Sequence, residues 1–502
     1  MTTEEPEPTT THAQAIKQAT EGIEFGRWIG GATSPAASGE TFRSLDPTVG
    51  ESIAPVARCN GADVDTAVDT ARKASHEWQE MGTAERADRI REWIDVLYDH
   101  LEELAVLEAL EVGKPITHAR ADVESGLEFF EYYASVAVGM EGEQVPVGTD
   151  GHAYVRREPY GVAGQILPWN YPLSLMGWKT GAALPTGNTV VCKPAEQAGL
   201  SIIRAAQLSA GILPDGVLNV VPGFGEAVGK PLSEHSGVDK LSFTGSVPTG
   251  QAVMEAAADG ITPVTLELGG KNPFVVFPDA DLEEAATSAA LGGFYNVGQS
   301  CDSATRLILH ESIKDEFLGL YREEIAAREP GDPLDEDTVM GPLCFEEQYD
   351  KVERYVDLGR EEGAEVIAGG APPTDAPADG WFYDPTVFDG VTPDMRIARE
   401  EVFGPVQFVM TFERYEEAIE LANGVPYGLA AGVMTGDPST AHRAAADLEA
   451  GSVWINQYFG TVPGTPFGGY KSSGIGRECG KEALREYTQS KAVHMALDTP
   501  EY

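Results

Sequence analysis

The sequence predicts an α/β protein built from two successive parallel-sheet blocks, and three observations predict it. Five short runs rich in Val, Ile and Leu lie between residues 161 and 270, each closing on Pro or Gly. Their last residues are 26, 29, 22 and 25 positions apart, which is the spacing of βα units rather than of hairpins. A second series of such runs begins at residue 272. The third observation is capacity. The chain has 502 residues, 42% of them hydrophobic, enough for a large core and for about three domains' worth of chain.

Taken in order, the elements start late. Residues 1–22 open acidic and Pro/Thr-rich (MTTEEPEPTT) and are expected to form a flexible tail. They lack the basic and apolar segments of a signal peptide. Val64, Ala67, Val68, Ala71 and Ala74 then recur at helical spacing, as do Ile90, Trp93, Leu97, Leu101 and Leu104. Thr83 is the expected N-cap of the second helix, which should stop near Gly113-Lys114-Pro115. The first strand series is GVAGQILP (161–168), NTVVCKP (188–194), VLNVVPG (217–223), KLSFTG (240–245) and VTLELGG (264–270). Ligands of such sheets bind beyond the carboxyl ends of the strands, so the residues just after each run carry the function. The second series is NPFVVF (272–277), TRLILH (305–310), GPVQFVMTF (404–412), AAGVMTG (430–436) and SVWINQY (452–458).

Charge narrows the choice of partner. Asp and Glu number 80 against 35 Lys and Arg, a formal net charge of −45. A phosphate backbone or an anionic membrane is bound through Lys and Arg, so nucleic acid and lipid are excluded as partners. The apolar content excludes a disordered acidic chain. Such self-repulsion resembles that of halophilic proteins, whose surroundings screen it within a few ångströms at molar salt. The five cysteines (Cys59, Cys192, Cys301, Cys344, Cys479) form no C-x-x-C pair, so a reducing, cytoplasmic setting is expected. No histidine pair has zinc-ligand spacing on a helix, and GDPLDEDTVMG (331–341) lacks the EF-hand pattern. Asp279 and Asp281 are read as helix caps, and no metal is expected.

Most of the chemistry-bearing residues lie just past the strands, and Cys301 lies after a predicted helix that starts near Asp281 and just before a strand. Cys301 closes Asn296-Val-Gly-Gln-Ser-Cys301; a thiolate there is a strong nucleophile towards carbonyl carbon, and a small buried hydrophobe is the alternative. Glu267 ends an apolar run, where a carboxylate is either paired, with Lys271, or a general base raised by burial. Asn170 comes after the first run and could donate to an oxyanion or merely hold a turn. Lys193-Pro-Ala-Glu196, Phe243-Thr-Gly-Ser246 and Gly223/Gly225/Gly229 come after the second, fourth and third runs. They suit a dinucleotide, although the glycines have one residue too many for G-x-G-x-x-G.

Together with PWNYP (168–172), ELGGK (267–271), EEVFGP (400–405) and PFGGYKSSGIGRECG (466–480), this ordered set resembles the aldehyde dehydrogenase superfamily, from about residue 25 to the C-terminal helix. The resemblance implies Cys301 as nucleophile, Glu267 as base for deacylation, and Asn170 with the Cys301 backbone N–H as oxyanion hole. It implies NAD more than NADP, because Glu196 would repel a 2′-phosphate. The cofactor would lie among Ile166, Leu167, Pro168 and Trp169, with Lys193, Ala195, Glu196 and Glu401 on its riboses. Gly225, Gly229, Phe243, Thr244, Gly245 and Leu268 would also bind it, with Ser246 near the pyrophosphate and Phe403 against the nicotinamide side. Glu267 speaks against the coenzyme-A-acylating branch.

The implied division is a cofactor domain (23–137 and 158–267), a catalytic domain (268–478) and an oligomerisation arm (138–157 and 479–502), with a homodimer or homotetramer as the assembly. Tyr171, Trp178, Tyr295 and Phe467 would line the aldehyde tunnel. Four aromatic rings could box a trimethylammonium group, as in betaine aldehyde, or form a generic apolar tunnel. Asp302 is unusual beside the nucleophile and is expected to oppose anionic substrates. A non-redox cysteine esterase on the same fold is the alternative activity.

Overall fold

The computed structural model describes residues 11–149, 151–374, 376–377 and 379–497; residues 1–10 of the expected tail lie outside them. The rest of that expectation is corrected. His12–Thr20 is a helix opened by a capping box between Thr11 and Gln14. It buries only Ala15 and Ala19, a stripe too small to stand out in the sequence. The His12 ring ties it down, with Nδ1 2.5 Å from Asp46 and Nε2 3.0 Å from Asp332.

Helices Gly61–Glu80, Thr83–Asp99, Leu101–Val112 and Ile116–Ala137 come next. Thr83 is not the cap: Gly82 holds that position at φ 78° without a side-chain hydrogen bond, and Thr83 Oγ1 accepts from Arg86 instead. The chain must swing through a left-handed turn there, which glycine permits and threonine resists. The apolar series Ile90 to Leu104 is also cut in two at His100, which ends one helix and begins the next. Gly113, left-handed at φ 82°, closes the second piece.

Two parallel sheets then form, each nearly all apolar because both faces are covered. The first contains Leu218–Val220, Thr189–Lys193, Val162–Ile166, Lys240–Thr244 and Val264–Glu267, side by side and parallel in that order. Numbered along the chain, the strand order is 3-2-1-4-5, the doubly wound pattern. Short antiparallel strands extend it at both edges, Arg27–Ile29 with Ala32–Ser34 on one side and Gly474–Ile475 on the other. The second sheet joins Thr386–Asp389, Val406–Phe412, Arg306–His310, Pro273–Val276, Ala430–Met434 and Ser452–Ile455 in parallel, with Glu365–Ala368 antiparallel at its edge.

A separate three-stranded arm pairs Gly151–Pro159 with Thr488–Ala496 on one side and Glu143–Val145 on the other. The expected arm boundary at 479 is too early. Cys479, Ala483, Leu484 and Tyr487 are buried in the main core, and the arm strand starts at Thr488. Among the described residues no helix is long and apolar enough to cross a membrane.

Helix Pro172–Ala183 crosses helix Ile116–Ala137 at backbone distance. A Cβ on Gly177 would stand 2.4 Å from the Gly126 carbonyl oxygen, and one on Gly126 2.7 Å from that of Leu173. This crossing fixes Tyr171 and Trp178 of one segment against Asp122 of the other.

Candidate active site

The first sheet reverses its strand order between Val162–Ile166 and Lys240–Thr244, and a crevice opens beyond such a point. The register there sets Thr244 beside Glu267. Facing these strand ends are the loops that lead into Arg306–His310 and Val406–Phe412 of the second sheet. Between them lies a cavity of about 490 Å³ lined by Asn170, Glu267, Cys301 and Glu401 among others.

Cys301 is held by its neighbours' backbones. The preceding turn puts Asn296 at φ 48° and Val297 at φ 60°, the latter a strained position for a β-branched residue. Asn272 Nδ2 donates to the Cys301 carbonyl at 2.9 Å. A Cβ on Gly270 would come within 2.3 Å of that same oxygen, so glycine is required for the nucleophile loop to approach. Asn170 Nδ2 donates to the Gln299 carbonyl at 3.0 Å, and Asn296 Nδ2 to the Asn170 carbonyl at 3.1 Å. The second N–H of Asn170 is left for a ligand. Cys301 is partly accessible, whereas the other four cysteines are buried. Burial first, then Asp302, Glu267 and Glu401, push the Cys301 thiol well above its ordinary range.

Glu267 is buried, and neither carboxyl oxygen has a hydrogen-bond partner. The alternative pairing with Lys271 does not form. Lys271 Nζ lies 4.8 Å from the centre of the Phe408 ring, itself without a hydrogen-bond partner, and burial brings its pKa down to about 7. Behind Glu267 lies Glu478, which accepts from Lys179 at 2.6 Å and from Ser242 at 3.4 Å. Burial, and next the charge of Glu478, raise Glu267 well above the carboxylate range.

The other half of the cavity suits a dinucleotide. Ser246 caps the helix Val247–Gly260; Pro248 has no N–H and the Thr249 N–H donates to the Ser246 hydroxyl, so the first turn leaves the Val247 N–H to face a phosphate. Glu401 accepts from the Gly270 N–H at 2.9 Å. A Cβ on Gly269 would meet that carboxylate at 2.4 Å, so this floor admits no side chain. The buried hydroxyl of Thr244 lacks a partner. On the neighbouring strand, Lys193 Nζ is 2.8 Å from Glu196, and the Leu167 N–H donates to the Lys193 carbonyl.

The aromatic wall is arranged in pairs. Tyr171 and Tyr295 lie nearly parallel, 6.5 Å between centroids. Phe459 meets Tyr295 edge-on at 5.8 Å, and Lys114 Nζ is 4.6 Å from the Tyr171 centroid. Phe467 is corrected: it packs against Trp178 at 5.2 Å and is not among the residues lining the cavity.

The decisive comparison is with known proteins. The aldehyde dehydrogenase family profile matches residues 34–493. The chain belongs to the aldehyde dehydrogenase family. It is 43% identical over 476 residues to DhaS of Bacillus subtilis strain 168, a protein with an aldehyde dehydrogenase name, covering 94% of this chain and 95% of that one. The NAD+ complex of an aldehyde dehydrogenase from Bacillus cereus is 44% identical, with TM-score 0.93 over 96% of this chain and 98% of that one. The P. syringae indole-3-acetaldehyde dehydrogenase AldA, as a mutant in complex with NAD+ and IAA, is 42% identical with TM-score 0.94, over 97% and 99%.

Within this aldehyde dehydrogenase, the cavity collects most of the residues expected from sequence. Asn170, Glu267 and Cys301 line it, with Pro168, Trp169, Thr244, Gly245, Ser246, Leu268, Glu401, Phe403, Tyr171, Trp178 and Tyr295. Ile166, Leu167 and Phe243 are not among the lining residues; Lys193 ends the adjacent strand with Ala195 and Glu196 just past it, and Gly225 and Gly229 bound the helical turn Gly225–Gly229. Asp122, Gln348, Lys351 and Phe459 also line the cavity, and the motifs do not point to them. Asp122 carries a signal, an acid beside the apolar stripe Ala119, Val123, Leu127 and Phe130. Gln348 and Lys351 sit on an ordinary charged helix, Glu346–Glu361, and carry none.

Proposed function

We propose that the chain oxidises an aldehyde to its carboxylic acid with NAD, using Cys301 as nucleophile and Glu267 as base. One observation carries this reading: a partly accessible thiol and an unpartnered buried carboxyl line the same cavity. The glycine floor at Gly269, the orphan Thr244 hydroxyl and the capped helix at Ser246 fit a dinucleotide. Lys193, Glu196 and Glu401 would hold its riboses, and Glu196 would repel a 2′-phosphate.

The Cys301 thiol gives its proton to water, and its sulfur attacks the carbonyl carbon to give a thiohemiacetal oxyanion that accepts from Asn170 Nδ2 and the Cys301 N–H. A nicotinamide held in the other half of the cavity would supply the oxidation as hydride acceptor, and Cys301 would then carry the acyl group as a thioester. Glu267 then takes a proton from water as the water oxygen attacks the thioester, and Cys301 departs as thiolate. The dry, buried setting of Glu267 raises its basicity for that step.

NADH formation across an aldehyde panel, with NAD and NADP in parallel at low and molar salt, tests the reading. NADH should form with at least one aldehyde and be lost in Cys301→Ala. Ester hydrolysis without NADH from any aldehyde would replace it with a hydrolase.

A further inference from the structure

The charges around the substrate half of the cavity are of one sign. Besides Glu267, that half is lined by Asp122 and Asp302; Lys351, the one cation among the described lining residues, interacts with Glu401 on the cofactor half. Asp302 is 8% exposed and its carboxylate accepts from the Ser300 hydroxyl at 2.5 Å, with no ion pair among the described residues. Its backbone is pinned, since the Tyr458 hydroxyl donates to its carbonyl at 2.7 Å. Asp122 accepts from the Tyr295 hydroxyl at 3.0 Å and from Lys114 at 2.6 Å. Lys114 is shared with Glu108 at 3.3 Å, so one ammonium serves two carboxylates. Tyr171 stands between the two aspartates, and both oppose its ionisation.

We propose that the substrate is an aldehyde bearing a cationic group a few atoms from the carbonyl, and that Asp302 and Asp122 select it. The proposal rests on the aldehyde-oxidising reading above and deepens it. A buried carboxylate whose only side-chain partner is a hydroxyl is costly to keep ionised; burial accordingly raises Asp302 above its ordinary range. A ligand cation supplies the missing counter-charge. Tyr171, Tyr295 and Phe459 line the same half; Lys114 covers one side of Tyr171 and His118 one side of Tyr295, and the ring surface left toward the cavity adds cation–π attraction. An anionic tail would meet two carboxylates, and a neutral aromatic tail would leave Asp302 without a counter-ion.

Trimethylammonioacetaldehyde and its neutral isostere 3,3-dimethylbutanal separate charge from shape, with indole-3-acetaldehyde and 4-oxobutanoate as the aromatic and anionic arms. Measured at saturating NAD, kcat/KM for the cation should exceed that for the isostere by about tenfold or more, as a desolvated cation–π and charge contact gives. Asp302→Asn should lower that ratio, chiefly through a higher KM for the cation. Asp122→Asn should do the same; because it also strips a partner from buried Lys114, inhibition of the unaltered enzyme by choline against 3,3-dimethylbutan-1-ol provides a second measure. The isostere or indole-3-acetaldehyde matching the cation, or a ratio unmoved by Asp302→Asn, would overturn the proposal. Absence of NADH from every aldehyde would instead strike the enzymatic reading itself.

Discussion

In the proposed mechanism Glu267 must give up a proton before it can take one from water, and Cys301 must lose its own before it can attack. Burial holds both groups protonated beyond their ordinary range, so the ionised fractions, and with them the rate, rise with pH. Glu267→Gln keeps the shape but removes the base. It should release NADH once per active site and then stall as thioester; sustained rapid turnover would rule out Glu267 as the deacylating base. Glu478→Gln removes the charge that, after burial, contributes most to raising Glu267. It also leaves Lys179 facing Glu267 without its own carboxylate. Both effects favour the carboxylate, so the alkaline rise of kcat should move to lower pH, read from the pH profile of thioester hydrolysis. The proposed trio is legible in sequence because each member sits inside a short motif, Glu267 and Asn170 at or just past a strand end and Cys301 in the turn before Arg306–His310. The fate of Lys271 is not legible: it stands four positions after Glu267, yet the loop turns it onto Phe408.

Among the elements, strands are easier to read than helix ends. A buried parallel strand is a nearly continuous apolar run, and all ten predicted runs are strands within a few residues of their limits. The helix ends depend on backbone events that leave little trace, the left-handed Gly82 and the break at His100. Helix His12–Thr20 escapes the sequence pattern because its anchor is an ion pair between distant segments, His12 with Asp46 and Asp332. Those carboxylates outweigh the opposing effect of burial, the largest single influence on the ring, and raise the His12 pKa to about 9. A raised histidine stabilises fully below about 6.5, its unfolded value. That contribution declines as the pH climbs from about 6.5 and is gone above about 9. Amide protection of residues 12–20, measured by hydrogen exchange, should therefore weaken selectively across that interval, and His12→Ala should weaken it already at pH 6. The helix crossing at Gly126 and Gly177 allows a sharper test. An Ala at 177 would press on the Gly126 carbonyl, 2.4 Å away, and cost about 1–3 kcal/mol by overpacking. The melting temperature should fall, and KM for aldehyde should rise as Tyr171 and Trp178 shift; an unchanged protein would show that the crossing can open freely.

For the whole molecule, the question is where the charge of −45 resides. Five of the 13 lysines are buried, at 114, 179, 193, 240 and 271, together with Arg86 and Arg306. Apart from Lys271, which has no hydrogen-bond partner, they are tied to carboxylates, to a hydroxyl or to backbone carbonyls. About a fifth of the basic residues is thus withdrawn from the surface, against about a tenth of the acidic ones, so the exterior is more acidic than the composition suggests. Repulsion among exposed carboxylates opposes the compact state, and its range shrinks from about 10 Å at 0.1 M salt to about 3 Å at 1 M. Buried pairs such as Lys179 with Glu478 are screened far less. Added salt should therefore relieve the surface while leaving the site's electrostatics in place. The melting temperature should climb by at least several degrees between 0.1 and 2 M KCl, and activity should be lost on dialysis into salt-free buffer. Sucrose at matched water activity, which does not screen charge, should restore much less. Equal stability with and without salt would show that the acidic surface is no adaptation to salt, and would leave the chemistry of Cys301 and Glu267 untouched.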